Sequence, residues 1–256
     1  MSLIRIIGAG RAGSSLALAL RAVGHDVDGP LGRGSDLEGA AADADVLVLA
    51  VPDDELAHVA AAVAPDVGCV VTHLSGSLGL DVLAPHPRRA SMHPLVPLPN
   101  ATVGARRLLG GVTLAVAGDR AVRELGESLG AVLVVVADED RASYHAAACV
   151  AANHVVALLG QVERIAATVG LDVGAFLGLA RAALDDVESL GPLAALTGPA
   201  ARGDWTTIAR HLEALDPAER EGYGAGVALA LELAAEGPTV SGRVADAPRL
   251  SADAPR

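Results

Sequence analysis

Lysine is missing altogether: all nineteen basic residues are arginines. That excludes a Schiff-base lysine, a phosphate-loop lysine and any lysine proton donor. The two cysteines, Cys69 and Cys149, are too few for a disulfide framework or a cysteine-rich metal site. The histidines form no metal-binding pair on a helix, so no metal is expected. Aromatic residues number only four, one Trp, two Tyr and one Phe, a scarcity that carries no functional information. Positive charge is also short: nineteen basic against thirty-one acidic residues leave a net charge of -12 and a pI near 5.0. Such a chain repels nucleic acid and anionic lipid, so neither is expected as a partner. No segment reads as a signal peptide or a membrane span, because charges or glycines interrupt the apolar stretches. A cytoplasmic location follows as the expectation.

What remains is apolar and plentiful. Hydrophobic residues make up 52% of the 256, with a mean hydropathy of +0.43, ample for a core. Residues 3–7 form a short β-rich run that leads straight into Gly8. A helical pattern over 14–23 stops at Gly24. Residues 45–51 are a continuous apolar run closed by Pro52, which marks a strand buried on both faces. A helix over 55–64, a buried strand over 69–74, strands at 112–117 and 131–136, and a helix over 120–129 continue the alternation. The predicted fold class is α/β, a Rossmann-like doubly wound parallel sheet. Beyond residue 137 strand signals cease. A long helix over 138–169 is followed by helical patterns at 173–190, 205–215 and 217–235. The expected organisation is a nucleotide-binding domain over 1–137, an all-helical domain over 138–236 and a disordered tail over 237–256.

Directly after the first strand stands Gly8-Ala9-Gly10-Arg11-Ala12-Gly13, followed by a helix. The first glycine permits a tight turn and the second lets backbone approach a pyrophosphate. The third lets helix and strand pack closely, while N–H groups at the helix start receive the phosphate. Gly8, Gly10, Arg11, Ala12 and Gly13 are therefore the expected cofactor cradle. About twenty residues on, where NAD-binding chains carry an acid for the ribose hydroxyls, the sequence reads Leu31-Gly32-Arg33-Gly34-Ser35. Arg33 and Ser35 suit a 2′-phosphate, a guanidinium fork beside a hydroxyl, so NADP is expected with NAD as the alternative.

Further elements follow in a recognisable order: Val51-Pro52-Asp53-Asp54, His73-Leu74-Ser75-Gly76-Ser77, Met92-His93-Pro94-Leu95 and Ala152-Asn153-His154. Over about residues 3–235 the chain resembles bacterial proteins that pair a Rossmann-like domain with a helical domain of unknown function 2520. These are relatives of 6-phosphogluconate dehydrogenase, pyrroline-carboxylate reductase and deazaflavin-dependent NADP reductases. The resemblance implies a C-terminal domain of the 6-phosphogluconate dehydrogenase type and a homodimer formed through it. It also implies a part for Val51, Pro52 and Asp53 at the cofactor. The activity implied is NADP(H)-dependent reduction of a small 2-keto acid, since some members are assigned as ketopantoate reductases. An imine reductase, a deazaflavin-linked NADP reductase and a non-catalytic dinucleotide sensor are the alternatives.

Many of these relatives place a lysine one helical turn before an asparagine that binds the substrate oxygen. Here the asparagine corresponds to Asn153 and the lysine is lost, leaving His145, Cys149 and Asn153 at i, i+4, i+8. A histidine, His93 or His145, is then the candidate proton donor, its ordinary pKa lying near 6.5. His93 is placed in a loop beyond the strand ends, either at the substrate or fixing a proline-rich turn. Ser75 either holds the substrate oxygen or closes a local turn. His154 and Cys149 read as structural residues. Asp204 reads as the N-cap of the helix at Trp205, and Arg202 as a group able to meet a substrate carboxylate.

Overall fold

The computed structural model describes residues 3–237; most of the tail assigned to 237–256 lies outside the described residues. Two compact units meet in sequence at Asn153/His154. The switch from strands to helices comes earlier, after β7, and α5 belongs to the first unit.

The first unit is built on a seven-stranded sheet in the order β2-β1-β3-β4-β5-β6-β7. Its strands are β1 (Leu3–Ile7), β2 (Asp26–Leu31), β3 (Val46–Leu49), β4 (Val70–His73), β5 (Arg89–Pro94), β6 (Thr113–Gly118) and β7 (Val132–Val135). Helices α1 (Arg11–Ala22), α2 (Leu56–Ala62), α3 (Ala101–Leu108), α4 (Ala121–Ser128) and α5 (Arg141–Cys149) accompany them. The side-chain period of two sends neighbouring strand residues to opposite faces. Ile4, Ile6, Val46 and Val48 pack with Leu16, Leu20 and Leu125 on one side. Ile7, Leu47 and Leu49 pack with Leu56, Val59 and Leu83 on the other. Both faces are covered, which is why β3 reads as an unbroken apolar run and every residue of β4, Thr72 and His73 included, is buried.

The sheet is mostly parallel, not wholly so. β5 pairs parallel with β4 and antiparallel with β6, while β6 and β7 run parallel to each other. β2, β5 and α3 stand beyond the elements that the apolar pattern marks. β2 is broken by Gly29 and Pro30. β5 alternates buried Ala90 and Met92 with Ser91 and His93. α3 is capped by Asn100, whose side chain accepts the Val103 N–H at 2.9 Å. β7 lies at the sheet edge, with Val132 58% exposed.

The second unit is all-helical among the described residues: α6 (Val155–Ala167), α7 (Gly174–Leu190), α8 (Pro192–Ala195), α9 (Gly198–Arg202), α10 (Trp205–Ala214) and α11 (Pro217–Ala235). Asp204 caps α10 as its position predicts, accepting the Thr207 N–H at 3.0 Å. Arg164 and Gln161 of α6 bond to Glu219 of α11. Among its described residues only Ala166, Ile208 and Val227 are fully buried, whereas Leu179 is 72% exposed.

A continuous helical run over Asp138–Ala167 joins α5 to α6 through a π-helical turn at Val150–His154. Its thirty residues, with a mean hydropathy of 1.3 in one 18-residue window, are long and apolar enough to cross a membrane by length and composition. That corrects the expectation that no stretch qualifies. Gly160 does interrupt the charge-free stretch between Arg141 and Glu163, but the helix runs through it unbroken.

Candidate active site

The carboxyl ends of β1, β3, β4 and β5 lie along one edge of the sheet, where doubly wound folds bind ligands. Gly8 leaves β1 with φ +110°, and a Cβ there would stand 2.2 Å from the Ala50 carbonyl oxygen. A Cβ on Gly13 would come within 2.0 Å of the Gly8 carbonyl oxygen, so the third glycine does let α1 pack against the strand end. Gly10 differs. A Cβ there would meet nothing within 4 Å, and α1 begins with neither a side-chain cap nor an acid in its first turn. Open space in front of uncapped helix N–H groups is what a pyrophosphate requires, so the residues present fit a dinucleotide. The Gly8 N–H donates to the Leu31 carbonyl at 2.9 Å, which ties the loop to the end of β2. Two residues on, Arg33 is exposed; Ser35 turns its hydroxyl to the Gly32 carbonyl at 3.1 Å.

Asp53 follows β3 and receives two hydroxyls, Ser75 Oγ at 2.7 Å and Ser77 Oγ at 2.8 Å. Ser75 Oγ in turn accepts the N–H groups of Ser77 and Leu78, both at 3.2 Å. Its hydrogen-bonding capacity is thus committed within the loop, which is the turn-closing reading of Ser75. Beneath it His73 is fully buried. Its Nδ1 accepts the Ser75 N–H at 3.2 Å, leaving Nε2–H to donate to the Gly79 carbonyl at 3.3 Å. Burial, reinforced by the Arg141 charge, pushes this imidazole down to about 4.

The polar face of β5 meets α5. Ser91 accepts from Arg141, and Tyr144, one helical turn later, bonds through its hydroxyl to His93 Nδ1 at 2.7 Å. Arg141 is 1% exposed and pairs with Asp138 at 3.2 Å, whose other oxygen takes the Leu80 N–H at 2.9 Å. His93 is therefore a strand residue near the end of β5; its expected placement in a loop is corrected. The apolar pattern missed this strand because only every second residue of it joins the core. Burial, then the neighbouring charges of His145 and Arg141, push His93 down to about 4. It therefore stays neutral well below pH 6.5, where a free histidine takes up its proton. Burial likewise raises Tyr144.

A cavity of about 570 Å³ lies against these groups. His93, Tyr144, His145 and Asn153 supply its polar lining; the rest is Pro94 to Pro97, Cys149 and alanines of α5 and the π turn. The His93 and His145 rings meet edge to face at 5.8 Å. Gly76 fits against both, since a Cβ there would lie 2.5 Å from His145 Nδ1 and 2.9 Å from His93 Nε2. His145 Nε2 is 3.6 Å from Cys149 Sγ, while its buried Nδ1 has no hydrogen-bond partner among the described residues. Of the expected catalytic set, His93, His145 and Asn153 share this cavity; Ser75 does not line it. Arg141 and Tyr144 are the groups that sequence reasoning missed. Arg141 continues the i, i+4, i+8 series backwards by one turn, and Tyr144 is one of only two tyrosines. Both signals were in the chain.

Residues 111–228 match the family described as Domain of unknown function (DUF2520), and residues 33–99 match a Rossmann-like domain. No curated protein matches the sequence. Among solved structures, the chain is similar to a Bacteroides fragilis protein assigned as an NADP oxidoreductase. That pair shows 19% identity, 90% coverage of this chain and 98% of the other, and a TM-score of 0.74. Protein TM1727 from Thermotoga maritima follows at 23% identity, 91% and 98% coverage and a TM-score of 0.68. Plasmodium falciparum pyrroline carboxylate reductase with NADP bound gives 15% identity, 92% and 96% coverage and a TM-score of 0.60. At these identities the likeness is one of fold.

Proposed function

The chain joins a Rossmann-like domain to a DUF2520 domain, and from that premise we propose that it is an NADP(H)-dependent oxidoreductase. The observation that carries the reading is the open cradle over Gly10 at the start of α1, on the same sheet edge as the His93 cavity. The Bacteroides fragilis protein, described as an NADP oxidoreductase, and the Plasmodium falciparum structure, described with NADP bound, support NADP as the cofactor. Gly8, Gly10, Arg11, Ala12 and Gly13 would hold its pyrophosphate, Arg33 and Ser35 its 2′-phosphate, and the Val51–Asp53 turn its nicotinamide half. When bound there, NADPH supplies the hydride.

The chain's own residues do the rest. Asp53, Ser75 and Ser77 fix the loop after β4, and Gly76 in that loop holds the His93 and His145 rings in place. With Tyr144 donating to His93 Nδ1, the ring keeps its proton on Nε2. A neutral imidazole of this kind polarises a carbonyl by hydrogen bonding, without acting as a cationic acid. Tyr144 is the proton reserve behind it. Asn153 and His145 supply further polar contacts in the same cavity.

For the substrate, the family resemblance favours a small 2-keto acid, ketopantoate. The kinship of fold with a pyrroline carboxylate reductase supports a C=N substrate as the second reading. We further propose a homodimer through the helical unit. So few buried side chains cannot stabilise the described part of the unit, residues 154–237, alone, and the exposed Leu179, Leu184 and Leu190 of α7 offer an apolar face to a second copy. A cytoplasmic location fits this chemistry.

Titration calorimetry with NADPH and NADH tests the cofactor reading. Tighter binding of NADPH is expected; binding of neither would overturn it.

A further inference from the structure

Building on the reductase reading, but against the 2-keto acid that the family resemblance favours, we propose that the cavity takes an uncharged, apolar carbonyl or imine compound in preference to a carboxylate-bearing one. The walls make the case. Leu95, Val96, Ala147, Ala148, Ala151 and Ala152 present hydrocarbon, and among the described residues no arginine contributes to the lining. Arg141 is the cation that acts on His93 and Tyr144, yet it is sealed under the site, its Nε on Asp138 and its Nη2 on Ser91, while its Nη1 is buried with no hydrogen-bond partner among the described residues. His93 is neutral near pH 7 and offers no positive charge either. A carboxylate entering this space would shed water against hydrocarbon with no counter-ion to receive it, a costly exchange. The net charge of -12 also disfavours the approach of an anion. A single carbonyl oxygen or imine nitrogen, by contrast, finds hydrogen-bonding partners in His93, Tyr144, His145 and Asn153. The volume of about 570 Å³ lies in the range of small-molecule sites and leaves room for an alkyl or ring substituent beyond the reacting carbon. The alanines of α5 and the π turn then set the size limit, each being the smallest side chain that keeps a helix intact.

The test uses the full chain and a matched pair, 4-methyl-2-pentanone and 4-methyl-2-oxopentanoate, which differ by a methyl against a carboxylate. With NADPH, kcat/KM is expected to be at least ~10-fold higher for the ketone. A thermal shift with NADP+ present should likewise appear with the ketone and not with the keto acid. Preference for the keto acid in either readout overturns the proposal. Ala151 is exposed on the helical run, so Ala151→Leu should fold. It is expected to raise KM for a bulky cyclic ketone several-fold while leaving NADPH affinity and sedimentation unchanged. If instead it alters self-association and leaves the ketone KM alone, the cavity is an interface between copies and the proposal fails. Failure to bind NADPH would overturn the underlying reductase reading. NADPH binding with no response to either carbonyl compound would overturn the cavity assignment alone.

Discussion

Gly8 and Gly10 sit two residues apart and do opposite things. Gly8 has no room, since its positive φ and the Ala50 carbonyl exclude a side chain, so Gly8→Ala should cost about 2–5 kcal/mol in urea unfolding. Gly10 has space to spare, and Gly10→Val should leave stability nearly untouched while abolishing dinucleotide binding. Arg33 is exposed just past the end of β2, so its replacement should cost the fold little. Arg33→Ala should weaken NADPH binding about 10- to 100-fold by calorimetry and leave NADH almost unchanged. The glycine loop was legible because backbone conformation and close approach are demands on residue type. Arg141 and Tyr144 were not singled out, because their roles depend on which strand α5 lies against, and that strand had gone unnoticed.

At the scale of elements, β5 and α5 build the reactive end of the site together. Alternation along β5 sends Ala90 and Met92 into the core and turns Ser91 and His93 toward α5, where Arg141 and Tyr144 receive them. A strand buried on both faces, such as β3, announces itself as an apolar run; β5, which sets Ser91 and His93 between its core residues, does not. The π turn at Val150–His154 had no sequence signature either. It breaks the simple i, i+4, i+8 face, yet His145, Cys149 and Asn153 all line the cavity. The loop after β4 completes the arrangement by pressing Gly76 against both histidines. Gly76→Ala should displace those rings and reduce kcat by about 10-fold or more, with NADPH affinity preserved.

For the whole molecule, the two most strongly depressed histidines make stability depend on pH. His73 and His93 stay neutral in the folded chain down to about 4, whereas in the unfolded chain they take up protons near 6.5. Their contribution is complete above pH 6.5 and is lost as pH falls toward 4, by up to about 1.4 kcal/mol per pH unit for each. Urea midpoints should therefore drop between pH 6.5 and 5, and His73→Asn should flatten that slope. The alternation of strands and helices and the all-helical second half were readable along the chain. The antiparallel turn of β6 and β7 was not, because direction is decided by pairing partners and not by local pattern. Sedimentation over a range of concentrations checks the dimer, for which a weight near twice that of one chain is expected. The most direct test of the reductase account follows loss of NADPH absorbance with 4-methyl-2-pentanone in the wild type and in Tyr144→Phe. The wild type should oxidise NADPH faster than NADH, and the variant should lose about 10- to 100-fold in kcat at unchanged NADPH affinity. Equal rates in the two proteins, or no NADPH oxidation by the wild type with either this ketone or a cyclic imine, would contradict the account.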